Sequence, residues 1–398
     1  MAKATIDDLD VEGRRVLVRE DFNVPMRDGE IVDDRRIREG APTLEALRSR
    51  GARVIVVVHL GRPNGHVDEK LRVAPLAKRL GELLGIDVAV ARDVVGEDAT
   101  RVVDSMGNGD VAMLENVRFE PGEEANDSEF ARRLAALADL YVNDAFGTAH
   151  RAHASTEGVA HLLPSAAGYL MARELDMLAK VLESPRTPVV AIIGGAKIST
   201  KVGVIDNLLD AVDVLWIGGA MACTFFRAMD AGTGTSLVEE DQVATAQRLL
   251  HAAGLKRATL KLPVDVVVAT EAKAGAETAV VGWQSIPDDR MVVDVGPETA
   301  ELIAEDCLDA GTVVWNGPLG IYEIPEFAAG TRAVAESLPR SHADVIIGGG
   351  DLAAAVQEAG VADKIGHIST GGGATIEFLE GKTLPGVAAL QEREPVRQ

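Results

Sequence analysis

Short runs rich in Val and Ile recur along the whole chain, separated by longer stretches whose apolar residues fall at helical spacing. That alternation builds parallel βαβ units, because parallel neighbours need a crossover long enough to hold a helix. The expected fold class is α/β, with doubly wound, Rossmann-like parallel sheets. Candidate strands in the first part are Val16–Arg19, Val54–His59, Val88–Ala91, Val111–Glu115 and Tyr141–Asn143. In the second part they are Val189–Ile193, Val214–Ile217, Val264–Ala269, Val313–Trp315, Val345–Ile347 and Gly366–Ser369. Neither half repeats the other residue by residue.

At 398 residues the chain exceeds one ordinary domain. Between the halves, Met171, Leu175, Leu178 and Leu182 line one face of a helix, which Ser184-Pro185 and Thr187-Pro188 then stop. The expected organisation is a first domain over 1–167, a joining helix over 168–183, a second domain over 184–375 and a segment over 376–398. That last segment is too short to stand alone and is expected to pack back on the first domain.

Charge narrows the partners. The chain has 40 Lys and Arg against 62 Asp and Glu, a formal net charge of −22, which argues against nucleic acid or an anionic membrane. Among the basic residues 11 are Lys and 29 are Arg, and such a Lys-poor acidic surface fits a halophile, whose salt screens the self-repulsion. No apolar run approaches the length of a membrane span. The acidic start, Met1–Asp10, gives no signal peptide. Cys223 and Cys307 lie far apart without metal-site spacing and read as buried thiols in a reducing cytoplasm.

Ligands of open α/β sheets bind outside the carboxyl ends of the strands, so the residues there indicate what is bound. In the first half they are Arg19-Glu20-Asp21-Phe22-Asn23, His59-Leu60-Gly61-Arg62-Pro63, Glu115-Asn116-Val117-Arg118 and Asn143 through Arg151. Arginines recurring at one level of the sheet, in so acidic a protein, point to a small, densely anionic ligand. The second half ends its strands in glycine: Gly194-Gly195-Ala196-Lys197, Gly218-Gly219-Ala220, Asn316-Gly317-Pro318, Gly348-Gly349-Gly350-Asp351 and Gly371-Gly372-Gly373. Glycines let backbone amides approach phosphate, and five such ends indicate a nucleotide or similar polyphosphate. Neither the GxxxxGK[ST] loop nor GxGxxG occurs there. A basic anion site facing a phosphate site across a cleft implies phosphoryl transfer between two bound anions.

Read singly, these residues have ordinary explanations. A lone arginine is a solvated charge, and a lone histidine such as His59 is a satisfied core residue. Asp351 can cap a helix, and Glu323 reads as a surface carboxylate. His150, His153 and His161 lack metal-ligand spacing. Two other classes compete. A dinucleotide-dependent oxidoreductase calls for GxGxxG, and a two-lobed anion-binding protein leaves Lys197 and Lys201 without a task.

Taken together, Arg19–Pro25, Asp34–Ile37, His59–Pro63, Leu114–Phe119, Asp144–His153, Gly194–Lys201, Asp294–Glu298, Trp315–Pro318, Gly348–Asp351 and Ser369–Ala374 resemble the signatures of the phosphoglycerate kinase family, in order. The resemblance implies a 3-phosphoglycerate site made of Asp21, Phe22, Asn23, Arg36, His59, Leu60, Gly61, Arg62, Arg118 and Arg151. It implies a nucleotide site at Lys201, Gly218, Gly219, Asn316, Glu323, Gly349, Gly350, Asp351 and Leu352, with Asp351 toward the Mg²⁺ of Mg-ATP. Arg36, Lys197 and Lys201 are the implied catalytic residues, and the amides of Gly371, Gly372 and Gly373 serve the group in flight. The implied activity is reversible transfer between ATP and 3-phosphoglycerate, giving ADP and 1,3-bisphosphoglycerate. This is a step of glycolysis and gluconeogenesis, run by a cytoplasmic monomer whose cleft closes. With the acidic composition, the expected source is a halophilic archaeon. Thr200, Ala220 and Leu352 depart from the family pattern and bear on nucleotide affinity.

Overall fold

The computed structural model describes residues 3–182 and 184–393, apart from the Leu182 side chain. The chain divides into two compact units, Met1–Leu175 with Thr383–Gln398, and Asp176–Lys382.

The first unit holds a six-stranded sheet made of β1 (Arg15–Arg19), β2 (Arg53–Val57), β3 (Ala89–Val90), β4 (Val111–Met113), β5 (Leu140–Asn143) and β6 (Ser165–Ala167). Its order is β3-β4-β2-β1-β5-β6, and every pairing is parallel. Val16, Val18, Val54 and Val56 pack with Ile37, Leu44 and Leu47 of the helix Arg35–Ser49 in the core beneath it. Strand order reverses at β1, between β2 and β5, so the ends of β1 and β5 flank the place where such sheets bind ligands. β6 was not among the expected strands. Its Ser-Ala-Ala sequence has no β-branched residue to signal it.

The second unit contains β7 (Val189–Ile193), β8 (Val214–Ile217), β9 (Thr259–Lys261), β10 (Asp265–Ala269), β11 (Thr278–Gly282), β12 (Met291–Val295), β13 (Thr312–Asn316), β14 (Asp344–Gly348) and β15 (His367–Ile368). Six of these form a parallel sheet in the order β9-β8-β7-β13-β14-β15. The remaining three form a separate antiparallel sheet, β11-β10-β12. The run over 264–269 is therefore no member of the parallel sheet, contrary to expectation. Only residues 262–264 separate β9 from β10, too few for a parallel crossover.

The units do not divide where the sequence places the boundaries. The first break falls inside the helix Tyr169–Leu182 rather than near residue 184, and Asp144 accepts the Met171 N–H at 2.9 Å, fixing the helix's first turn to the first unit. The returning tail begins at Thr383 rather than at 376. Residues before it belong to the helix Gly373–Leu379, whose Leu379 carbonyl accepts Asn207 Nδ2 at 2.7 Å within the second unit. The tail then adheres to the first unit: Asn143 Nδ2 donates to the Gly386 carbonyl at 3.1 Å, and the Ala4 N–H donates to the Gln391 carbonyl at 2.9 Å. Residues 394–398 lie outside the described residues.

Candidate active-site residues in the two units

In the first unit the strand ends bring basic side chains around His59. Arg19, just inside the end of β1, is buried and donates from Nη2 to His59 Nδ1 at 3.1 Å and from Nε to Ser155 Oγ at 2.8 Å. Burial, and then the charges of Arg19, Arg118, Arg36 and Arg151, hold His59 well below the usual histidine range. The imidazole is therefore neutral. Because a guanidinium only donates, Nδ1 accepts and Nε2 carries the proton. The 3.9 Å approach of Asp21 Oδ1 to His59 is accordingly not an ion pair. Asp21 instead pairs through Oδ2 with Nη1 of Arg36, in the first turn of the helix Arg35–Ser49.

The loop after β2 supplies the next part of the site. Gly61 donates its N–H to Asn23 Oδ1 at 2.9 Å and accepts Arg118 Nη1 on its carbonyl at 2.8 Å. Its φ of +63°, with Leu71 where a Cβ would stand, requires glycine. Arg62 beside it is exposed, and Arg151 is half-buried next to His150. Phe22 and Leu60 are fully buried apolar residues, so only their backbone can meet a ligand.

Three residues outside the expected site complete this cluster. Glu123 is fully buried and accepts the Ser155 N–H at 2.9 Å and its hydroxyl at 2.6 Å. His153, 3.8 Å from Glu123, is pushed down to about 4 by burial and by Arg118, Arg19 and Arg151. Arg19, one of the strand-end arginines that point to an anionic ligand, is the one bonded directly to His59.

In the second unit, strand order reverses between β7 and β13. A cavity of about 340 Å³ opens there, lined by Gly195, Gly219, Leu237, Met291, Val293 and Ile321, with Asp294, Tyr322, Glu323 and Asp351 as its acidic and phenolic groups. Of the expected nucleotide residues, Gly219, Glu323 and Asp351 line it. Lys201 pairs through Nζ with Asn316 Oδ1, while Asn316 Nδ2 is buried without an acceptor. Burial lowers Lys201 to about 8, against the opposing charges of Glu380 and Asp351. Lys197 is exposed at the start of the turn Ile198–Thr200, where Thr200 Oγ1 donates to its carbonyl at 3.0 Å. Leu352 is buried in the core with Val356 and Ile347, so its side chain faces no ligand. The apolar wall of Leu237, Met291, Val293 and Ile321 has no sequence signature, since such residues are ordinarily core.

The glycines divide into two kinds. A Cβ on Gly194 would stand 2.2 Å from the Pro318 carbonyl oxygen, and one on Gly219 would stand 2.5 Å from that of Gly195. Gly218 likewise meets Leu319, and Gly317 meets Gly194. These four let neighbouring segments touch, and Gly219 also lines the cavity. Gly350 and Gly372 face open space, at the starts of the helices Gly350–Glu358 and Gly373–Leu379. Gly349 takes φ +99° beside Asn316, and Gly371 donates its N–H to Ser369 Oγ at 3.0 Å.

A family model described as phosphoglycerate kinase matches residues 6–382. The chain belongs to the phosphoglycerate kinase family. The phosphoglycerate kinase of Pelotomaculum thermopropionicum is 54% identical over 393 residues, covering 99% of this chain and all of that protein. That of Moorella thermoacetica is 55% identical with the same coverage. Among solved structures, phosphoglycerate kinase from Coxiella burnetii is 40% identical, with a TM-score of 0.90 over 97% of this chain and 98% of that one. The enzyme from the archaeon Pyrococcus horikoshii is 32% identical, with a TM-score of 0.86 over 98% of each chain. The relatives at 54–55% identity are bacterial, which gives no support to the expected archaeal source.

Proposed function

We propose that this kinase moves a phosphoryl group reversibly between ATP and the carboxylate of 3-phosphoglycerate, giving ADP and 1,3-bisphosphoglycerate. The observation that carries this reading is the concentration of Arg19, Arg36, Arg118 and Arg151 around a neutral His59 in a chain of net charge −22. Such a cluster suits a ligand bearing both phosphate and carboxylate. The second unit supplies a cavity large enough for a nucleoside, lined by Gly219, Tyr322, Glu323 and Asp351, and the same unit carries Lys201 on Asn316 and two open glycine helix starts.

The acceptor carboxylate is ionised near neutrality, so no general base is needed. Asp21 orients Arg36, whose guanidinium neutralises the phosphoryl oxygens together with Lys201 and Lys197. The buried, unpartnered Nδ2 of Asn316 is a donor awaiting an oxygen acceptor, which a nucleotide phosphate supplies. In-line transfer requires the carboxylate and the γ-phosphorus to come within bonding reach, so the ligands of the two units must meet during turnover and exclude water.

Among the described residues, no group of three or more His, Cys, Asp or Glu could hold a metal ion. Asp351 offers one exposed carboxylate at the cavity. That suits Mg²⁺ carried in on the nucleotide phosphates, which keeps most of its shell of water and phosphate oxygen. Bound there, it would neutralise phosphate charge. We further assign a monomeric, cytoplasmic protein, with a salt requirement from its acidic surface. No helix among the described residues is long and apolar enough to cross a membrane.

Acyl phosphates react with hydroxylamine and phosphate esters do not. Incubation with Mg-ATP, 3-phosphoglycerate and hydroxylamine should therefore accumulate a hydroxamate. Release of ADP and inorganic phosphate without hydroxamate would rule out the carboxylate as acceptor.

A further inference from the structure

Two carboxyl groups that the proposed reaction does not use lie directly behind the arginine cluster. Arg19 of β1 is in register with Asn143 of β5, and the Asp144 N–H donates to the Arg19 carbonyl at 2.9 Å. Glu20 and Asp144 are thus the next residues on adjacent parallel strands, and their side chains leave the same face of the sheet. Both point at the helix Arg35–Ser49. Glu20 Oε2 lies 2.4 Å from where a Cβ on Gly40 would be, and Asp144 is bonded to Thr43, one turn further on. Asp144 also sits where Gly168 leaves room for it, and its Oδ1 accepts the Met171 N–H.

Glu20 and Asp144 are both fully buried, yet Oε1 and Oε2 of Glu20 and Oδ2 of Asp144 have no hydrogen-bond partner. Two ionised carboxylates held side by side away from water would be strongly destabilising. Arg19 favours the charged form of Glu20, but less than burial and Asp144 disfavour it. Its guanidinium is directed to His59, Ser155 and the Glu20 carbonyl rather than to either carboxyl group, and Glu39 pairs with Arg173. Glu174 adds a further buried carboxyl on the helix that follows Gly168.

We propose that Glu20 and Asp144 form a hydrogen-bonded carboxyl–carboxylate pair sharing one proton at neutral pH, and that this pair positions the end of β1 from which Asp21 holds Arg36. The proton lies between an oxygen of Glu20 and Oδ2 of Asp144, which satisfies the orphaned atoms without a cation. Both groups titrate in the direction this requires. Burial and then Asp144 push Glu20 well above the carboxylate range, and burial pushes Asp144 up to about 7. Loss of the proton sets two charges against each other beneath the substrate arginines. The link to catalysis rests on the reaction proposed above, whereas the shared proton does not.

The test compares the wild type with Glu20→Gln and Asp144→Asn, each a neutral isostere of the protonated partner. The infrared band of a protonated carboxyl should be present in the wild type near neutral pH and reduced in both variants, with any contribution from Asp294 cancelling in the difference. The folded chain holds a proton that the unfolded chain releases from about pH 4 upward, so wild-type stability falls as pH rises toward neutrality. The melting temperature of Glu20→Gln should therefore gain on the wild type between about pH 5 and pH 8. The KM for 3-phosphoglycerate should rise about tenfold between about pH 7 and pH 9 in the wild type, and less than about twofold in Glu20→Gln, with kcat little changed. Equal infrared spectra, parallel melting curves, or unfolding of both isosteres would overturn the pair. Inactivity of the wild type toward 3-phosphoglycerate would instead sink the proposed reaction and leave the infrared and melting results to decide the proton.

Discussion

Lys201 is held at a pKa of about 8 in the free protein, against an ordinary value of 10.5, mainly because it is buried. That displacement corresponds to roughly 3 kcal/mol set against the ammonium form, and a bound polyphosphate offsets it by supplying the counter-charge. Lysine carries its charge below its pKa, and kcat/KM reports groups of the free enzyme. The kcat/KM for Mg-ATP should therefore be level below about pH 8 and fall about tenfold per pH unit above it. At saturating nucleotide the bound phosphates raise the pKa, so kcat should hold to higher pH. Lys201→Arg replaces the titrating ammonium by a permanent cation and should lose the alkaline limb, whatever its absolute rate. Lys201→Met should lower kcat/KM by about two to three orders of magnitude and also lack the limb. Stability carries the opposite sign. Between about 8 and 10.5 the unfolded chain keeps the lysine proton that the folded chain has released, so folding gains with rising pH, and Lys201→Met should flatten that gain. Steady-state rates from about pH 6 to pH 10 decide the matter. A limb that survives unchanged in Lys201→Arg, or a wild-type profile flat to about pH 10, refutes the assignment.

Other perturbations separate the two sites from the scaffold. Arg36→Ala should lower kcat by about two to three orders of magnitude while leaving nucleotide affinity by calorimetry within about twofold, and loss of nucleotide binding alone would contradict its placement. Gly317→Ala combines a φ of +88° with a backbone oxygen 2.4 Å from the new Cβ, and should destabilise the chain by more than about 2 kcal/mol in urea unfolding. An unchanged midpoint would show that the loop after β13 can move aside. With a net charge of −22, melting temperature and activity should both rise with KCl, and full stability in dilute buffer would remove the salt requirement.

Residues whose chemistry shows in their type and spacing were legible from the sequence. Val189–Ile193 and Val214–Ile217 form strands over the expected residues, because strands buried on both faces read as continuous apolar runs. Asp21, His59 and Arg118 stand near strand ends where ligand chemistry collects, Arg36 is marked by the family resemblance alone, and the structure brings the four together. What escaped depended on contacts distant in sequence. Ser165–Ala167 becomes a strand by pairing with β5, and β10 leaves the parallel sheet to pair antiparallel with β11 and β12. Asp28-Gly29, with φ of +51° and +84°, turns the small hairpin Met26–Arg27 and Glu30–Ile31, a readable signal that went unused. The glycines mark the loops, but what each one faces is settled by packing, as the contrast between Gly194 against the Pro318 carbonyl and Gly350 in open space shows. Glu20 and Asp144 looked like parts of a motif, and only adjacency across two strands reveals them as a pair.

The central claim is transfer between two anions, one in each unit. It is tested most directly by coupled detection of ADP formed from Mg-ATP, with and without 3-phosphoglycerate, over a range of KCl concentrations. Turnover that strictly requires 3-phosphoglycerate is the predicted result. ADP formation indifferent to 3-phosphoglycerate, or none at any salt from protein shown to be folded, would contradict it.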